Sequence, residues 1–329
     1  MVIDTHAHIL VPEILREADP ADSWRPRVLR ENGKQVIEFA GKQVKSAAHE
    51  FVDIEGILAA QDSAGVDRVV LCPWVSLARY DASPDDGLRV CRIYNEALAR
   101  LVQAYPDRVS VLGMIPLQDP DMAARELEAV MSLPGMAGVQ IAASVNGVYL
   151  GDDRFSPFWQ AAESLGALIF IHPTTRGFSI ESLNDYYLWN TVGNPLETTI
   201  AAAHMIMTGV MESRPALKVL LAHGGGAILS LRGRLRHAHA FQPQAKARLQ
   251  ESPEDSLRRF YFDTVVHGVD VLRDLVDFAG VDHVVVGSDY PFDMGVERPA
   301  EIVRSLGLAP ADEQAVLSGN AARLLGLKE

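Results

Sequence analysis

The chain has 329 residues, 48% of them hydrophobic, with two cysteines and a formal net charge of -13. That much apolar material fills one large core, the acidic balance argues against non-specific nucleic-acid binding, and two cysteines make no disulfide framework. No run of about 18 apolar residues marks a membrane span and no basic segment with an apolar stretch marks a secretory leader. The expectation is a cytoplasmic protein with neither membrane nor nucleic-acid partners.

Residues 2–8 read as a short buried strand ending in His-x-His. Side chains two apart on a strand share a face, so His6 and His8 project together and can share one cation. Residues from about 11 to 50 read as an insertion before the first helix. Within it, 35–39 and 42–44 flank Ala40-Gly41 as a β-hairpin. From Asp53, an acidic N-cap, the pattern becomes regular. A helix to Gly65 precedes a strand at 67–72, and a helix at 86–104 precedes a strand at 108–114. Helix 120–133 then precedes strand 137–142, and helix 155–165 precedes strand 167–172. A helix from 194 to about 211, strand 218–223, a helix entered at Gly224-Gly225-Gly226, strand 260–263, helix 269–279 and strand 283–289 follow. Short helices at 299–306, 311–318 and 320–326 complete the pattern.

The strands are near-continuous apolar runs, as in a parallel sheet buried on both faces. Eight strands, each followed by helix, point to a single (β/α)8 TIM-barrel domain over residues 1–329, with a small β-hairpin insertion after the first strand. A doubly wound open sheet is the alternative. In the barrel, the C-terminal ends of the strands form the active-site face. Those ends carry His6 and His8 on strand one, His172 on strand five, His223 on strand six and Asp289 on strand eight. Any one alone reads equally well as a turn or core residue. Together, four imidazoles and a carboxylate suit a borderline divalent metal, zinc first and manganese second. Gly224-Gly225-Gly226 reads either as close approach of a substrate anion to a helix N-terminus or as tight packing where no Cβ fits. The absence of a following Lys-Ser/Thr argues against a nucleotide-phosphate loop.

The set of strand-end residues resembles the amidohydrolase superfamily. The stretches IDTHAHI, IHP, LAHGGG, YFDT, GSDYPFDMG and SGNAARLLGL resemble one branch of it, the metal-dependent decarboxylases that include 2-amino-3-carboxymuconate-6-semialdehyde decarboxylase. The resemblance implies that His6, His8, His172 and Asp289 hold the metal. It makes His223 the acid–base residue beside it, with Asp289 sharing in catalysis. Strand four carries Gln140 and no lysine, so a bridging ligand is missing and one ion is expected. The reaction implied is non-oxidative decarboxylation of an aromatic or muconate-like carboxylic acid. A hydrolase of a lactone, amide or ester on the same site is the alternative; a hydratase fits less well, because the Asp-Tyr of GSDYPF is intact. A non-enzymatic metal scaffold is the third reading, opposed by the retained base.

Two departures bear on the substrate. Where the branch uses a hairpin arginine to hold a substrate carboxylate, the nearest cation is Lys45, one residue out of register, and Lys lacks the bidentate fork of Arg. Arg234 matches an arginine that the family donates across a homodimer. The second such arginine falls at Gln242, with Arg236 and His239 nearby. Tyr186, Tyr187 and Trp189, after strand five, are candidates to flank a planar ring. Packing of a long loop explains them equally well.

Overall fold

The computed structural model describes residues 1–15, 25–31, 34–39, 42–45, 51–174 and 180–327. Eight parallel strands form one sheet in sequence order: β1 (Ile3–Ile9), β2 (Arg68–Pro73), β3 (Val109–Gly113), β4 (Met136–Ala142), β5 (Leu168–His172), β6 (Lys218–Leu221), β7 (Tyr261–Asp263) and β8 (Val284–Val285). The outer helices are α1 (Ile54–Ser63), α2 (Pro84–Ala104), α3 (Pro120–Ser132), α4 (Ser156–Leu165), α5 (Asn194–Met207), α6 (Ile228–Phe241) and α7 (Val269–Ala279), with short helices after β8. Their starts follow local chemistry. The side chains of Asp53, Ser83 and Asp119 accept from the backbone at the first turns of α1, α2 and α3, and proline occupies the opening turn of α2 and α3. Gly166, at φ 60°, ends α4 in the left-handed region.

Alternation along the strands sorts the core into two layers. Val69 and Leu71 pack outward with the helices, while Val70 and Cys72 pack inward with Ile3, Leu112, Phe170, Leu220 and Val285. Ala321 and Leu324 of the final helix (Asn320–Leu325) join the inner cluster. The sheet closes into a barrel where the first and last strands meet. Thr5 N donates to Val286 O at 2.8 Å, Asp289 N to His6 O at 2.7 Å and His8 N to Tyr290 O at 2.7 Å.

The architecture and its element order match the expectation, with local differences. Strand eight is regular only over Val284–Val285, because the following residues turn to bond β1 backbone groups singly. The insertion is a three-stranded antiparallel sheet, not a hairpin alone: Arg27–Glu31 pairs with Lys34–Phe39, which pairs with Lys42–Lys45. The charge-rich Arg27–Glu31 hides the alternation that would have marked it. A two-stranded ribbon, Ser144–Val145 with Val148–Tyr149, turns on Asn146-Gly147 after β4. Gly209, at φ 75°, separates α5 from the short helix Val210–Ser213, so the helix expected to run to about 211 is two. The rest of the insertion, including the Ala40-Gly41 turn, lies outside the described residues.

Candidate metal centre

All five strand-end residues meet at one end of the barrel. His6 Nε2 lies 3.1 Å from both His8 Nε2 and Asp289 Oδ1, and His8 Nε2 is also 3.1 Å from Asp289 Oδ1. The His172 ring centroid is 5.1 Å from that of His6, 5.0 Å from that of His8 and 5.2 Å from that of His223. His223 Nε2 reaches Asp289 Oδ2 at 3.4 Å. Potential ligand atoms of His6, His172, His223 and Asp289 lie within 4.8 Å of one another. His6, His8, His172 and Asp289 are buried, and His223 is half-buried.

The second ring nitrogens decide how the site is loaded. His6 Nδ1 donates to Asp263 Oδ2 at 2.7 Å, His8 Nδ1 to Pro73 O at 3.3 Å and His172 Nδ1 to Pro173 O at 2.9 Å. A carbonyl accepts and never donates, so the carbonyl-bonded rings of His8 and His172 carry their proton on Nδ1 and turn an Nε2 lone pair toward the centre. His172 Nε2 is buried with no hydrogen-bond partner among the described residues. An unpaired buried acceptor is costly. Lone pairs facing one another beside a carboxylate are the donor set that a divalent cation satisfies.

The electrostatics agree. Burial opposes charge on His6, but the adjacent Asp289 and Asp263 carboxylates push it up to about 10. His8 is lowered by burial against the pull of Asp289, and His172 is held well below its usual range by burial and the neighbouring imidazoles. Burial would raise Asp289, yet His6, His223 and His8 hold it well below the carboxylate range. The pocket favours positive charge at one point and resists spreading it over several rings.

Position comes from local backbone chemistry. His223 lies past the end of β6 in a short turn and Asp289 past the end of β8; both adopt the left-handed region, at φ 57° and 59°. Such a conformation is uncommon for a non-glycine residue and clusters at functional sites. Asp4 Oδ1, fully buried, accepts from the backbone of both His6 and Ser288 at 3.0 Å, tying β1 to the segment that carries Asp289. Burial lifts Asp4 to about 6 against its hydrogen bonds to Ser288 and His6.

The two readings of Gly224-Gly225-Gly226 separate here. Gly224 N donates to Asp263 Oδ1, Gly225 N to Ala222 O, Gly226 N to His223 O and Ala227 N to Thr199 Oγ1. No N–H of this run is left for an anion. A Cβ at Gly226 would lie 2.1 Å from Pro195 O and one at Gly224 2.4 Å from Val266 Cγ1. Of the two readings, the glycines fit packing, with their N–H groups already engaged.

The mouth is partly aromatic. Phe292 packs edge-on against His8 at 5.0 Å and against Phe51 at 5.0 Å, and Phe51 lies 6.4 Å from Trp74. Trp189, partly buried, meets Tyr187 at 4.9 Å, and Tyr187 OH donates to Asp293 at 2.8 Å, so both belong to a strap tied to the Asp289 segment. Tyr186 is 92% exposed. Gln140 is buried on β4 and its Nε2 donates to Pro73 O at 2.9 Å, the carbonyl that also receives His8. Arg234 is exposed on α6. Arg236 pairs with Glu254 at 2.9 Å and His239 bonds Leu249 O at 2.9 Å, so both have partners within the chain. Lys45 ends the third strand of the insertion, and its side chain lies outside the described residues. The residue that sequence reasoning left without a role is Asp263. Its signal was present: an acid at the end of β7, where the other site residues end their strands.

The amidohydrolase family model matches residues 3–327. The chain is 31% identical to a 2-amino-3-carboxymuconate-6-semialdehyde decarboxylase of Dictyostelium discoideum, over 99% of this chain and 91% of the relative. Among solved structures it is similar to the 5-carboxyvanillate decarboxylase of Sphingomonas paucimobilis, with a TM-score of 0.82, 27% identity and 99% of each chain covered. It also shares its fold with a dihydroxybenzoic acid decarboxylase of Polaromonas sp. JS666, solved with bound manganese and the inhibitor 2-nitroresorcinol (TM-score 0.81, 22% identity, 100% of this chain and 97% of that one).

Proposed function

Because the chain belongs to the amidohydrolase family, we propose that it is a metal-dependent, non-oxidative decarboxylase of an aromatic or muconate-semialdehyde-type acid. The observation that carries this reading is the convergence of His6, His8, His172, His223 and Asp289 at one end of the barrel, with His223 Nε2 standing 3.4 Å from Asp289 Oδ2. His6, His8, His172 and Asp289 would hold one divalent ion. Three imidazoles favour zinc, while manganese is the ion bound in the solved Polaromonas enzyme. When bound, the ion supplies Lewis acidity that draws electron density from the substrate carboxylate and its neighbouring oxygen. His223 delivers a proton to the carbon bearing the carboxylate. The bond from that carbon to the carboxylate carbon then breaks, its electron pair returns to the ring or conjugated system, and carbon dioxide departs. Asp289 orients His223 Nε2, which stands 3.4 Å from its Oδ2. The aromatic side chains at the mouth suit a planar substrate.

The direct test is carbon dioxide release by the manganese- and zinc-loaded protein from 2,6-dihydroxybenzoate, 5-carboxyvanillate and 2-amino-3-carboxymuconate-6-semialdehyde. Release from one of them supports the reading. Acid release from lactones or amides without carbon dioxide would replace it with the hydrolase. Elemental analysis is expected to give one tightly held ion per chain, since β4 offers the neutral amide of Gln140, its Nε2 bonded to Pro73 O, where a bridging anionic ligand would be required. Two tightly held equivalents would overturn the single-ion site.

Two cations outside the centre complete the proposal. Lys45, in the insertion, pairs with a second carboxylate of the substrate as a point charge. Lys45→Ala is expected to raise KM for a dicarboxylic substrate about 10–150-fold, a charge-assisted bond of roughly 1.5–3 kcal/mol being lost, with kcat little changed. An unchanged KM removes Lys45 from the site. Arg234, exposed on α6, reaches the neighbouring pocket in a cytoplasmic homodimer. Mixing Arg234→Ala with His223→Ala chains under subunit exchange is expected to restore part of the activity, because one pocket in the mixed dimer is whole. No recovery would place Arg234 outside the site.

A further inference from the structure

One carboxylate touches both halves of this centre. Asp263 closes β7, is fully buried, and uses both of its oxygens. Oδ2 accepts from His6 Nδ1 at 2.7 Å and from His223 N at 3.0 Å. Oδ1 accepts from Gly224 N at 2.8 Å and from Val265 N at 3.1 Å. His8 and His172 rest their Nδ1 on backbone carbonyls, so His6 is the ligand candidate whose ring is held by another element's carboxylate. A carboxylate partner fixes the ring, sets its tautomer and raises its basicity as a ligand. The second contact acts on the turn after β6. His223 and Gly224 both stand in the left-handed region, at φ 57° and 59°. A non-glycine residue stays there only when its surroundings hold it. Here the holding is visible: two successive N–H groups converge on one charged acceptor, and such bonds are stronger than neutral ones.

We propose that Asp263 is the positioning residue that couples the ion to the acid–base group, fixing the His6 ring toward the ion and holding the turn that presents His223 Nε2 to Asp289. It touches neither substrate nor ion. The inference rests on the reading of His6 as ligand and His223 as acid–base residue. It adds that the two are set by one group, so that disturbing it loosens both.

The test is Asp263→Asn, whose amide cannot accept at both oxygen positions. The first readout is Mn2+ affinity, measured by chelator competition without any substrate; it is expected to weaken about 10–100-fold, the usual cost of losing a ligand's outer partner. The second is amide hydrogen exchange, expected to accelerate at residues 223–225 while the rest of the barrel keeps its protection. The third is kcat at saturating Mn2+. Asp263→Asn is expected to lower it about tenfold or more in the wild-type background, by the 1.36 kcal/mol-per-decade relation of displaced acid–base catalysis. In the His223→Ala background the same change should matter less than twofold, since no acid–base group remains to be misplaced.

Unchanged Mn2+ affinity overturns the ligand half. Unchanged exchange in the turn, or equal falls in kcat in the two backgrounds, overturns the coupling. Should Asp263→Asn not fold, the wild type decides. In zinc-loaded protein labelled with 15N-histidine, the His6 ring is expected to bind zinc through Nε2 and to show a strongly deshielded Nδ1 proton. Binding through Nδ1, or no such proton, overturns the proposal. If no candidate acid is decarboxylated, the functional reading fails, and the affinity, exchange and ring-proton measurements still judge Asp263 independently.

Discussion

His223→Ala is expected to keep its metal and its fold while losing about 10²–10⁴-fold in kcat, the usual contribution of a positioned acid–base group. Geometry distinguishes this imidazole from its neighbours. His6, His8 and His172 each have Nδ1 bonded to a fixed oxygen, whereas His223 Nδ1 is buried with no partner among the described residues. His223 is held through Nε2 against the Asp289 carboxylate, the arrangement of a proton-carrying ring; a ring pinned at Nδ1 is suited to holding a cation. His223 Nε2 also stands at 3.4 Å from Asp289, against 3.1 Å for His6 and His8. The loss should fall on kcat and leave KM near its wild-type value, because proton transfer belongs to the transition state and not to binding. Bound metal and kcat on the purified variant decide the matter. An empty site would make His223 a ligand. A full site with near-normal kcat would make it structural and require another base.

His172→Ala is expected to abolish both metal retention and activity. Its Nε2 is buried and unpaired, and its Nδ1 is committed to Pro173 O, so the ring has one use left. Losing a direct ligand should weaken the ion by more than the roughly 10–100-fold that loss of an outer partner costs. Thermal unfolding gives a second measure: added Mn2+ should raise the Tm of the wild type by binding only the folded state, and should leave that of the variant unmoved. A full complement of metal in His172→Ala would remove it from the ligand set.

The barrel was legible because its strands are apolar on both faces and its helices open on capping residues such as Ser83-Pro84 and Asp119-Pro120. The convergence of the five strand-end residues was legible because a parallel barrel sends every strand end to one rim. Asp263 went unassigned because its role lies in contacts at |i−j| of 257 with His6 and 40 with His223, and a lone strand-end acid looks like any turn former. The first strand of the insertion was hidden by its charges, Arg27, Arg30 and Glu31 among five residues. The fate of the glycine run depended on Pro195, Thr199 and Val266, brought against it from other elements. Sequence reading could only leave both explanations standing.

The seam of the barrel has a consequence for the order of events in the cell. His8 and Asp289 are 281 positions apart, and the backbone bonds that join their segments are the ones that shut the barrel. A ribosome-bound chain that has already exposed His6 and His8 therefore owns two loose imidazoles and no cage. The carboxylate proposed to complete the cage emerges 281 positions after His8. With the proposed ligand set, cation capture waits until both segments have been made and have met. Because backbone bonds join those segments without the ion, cells starved of it during synthesis are expected to accumulate protein with a closed seam, which takes up the ion when it is supplied.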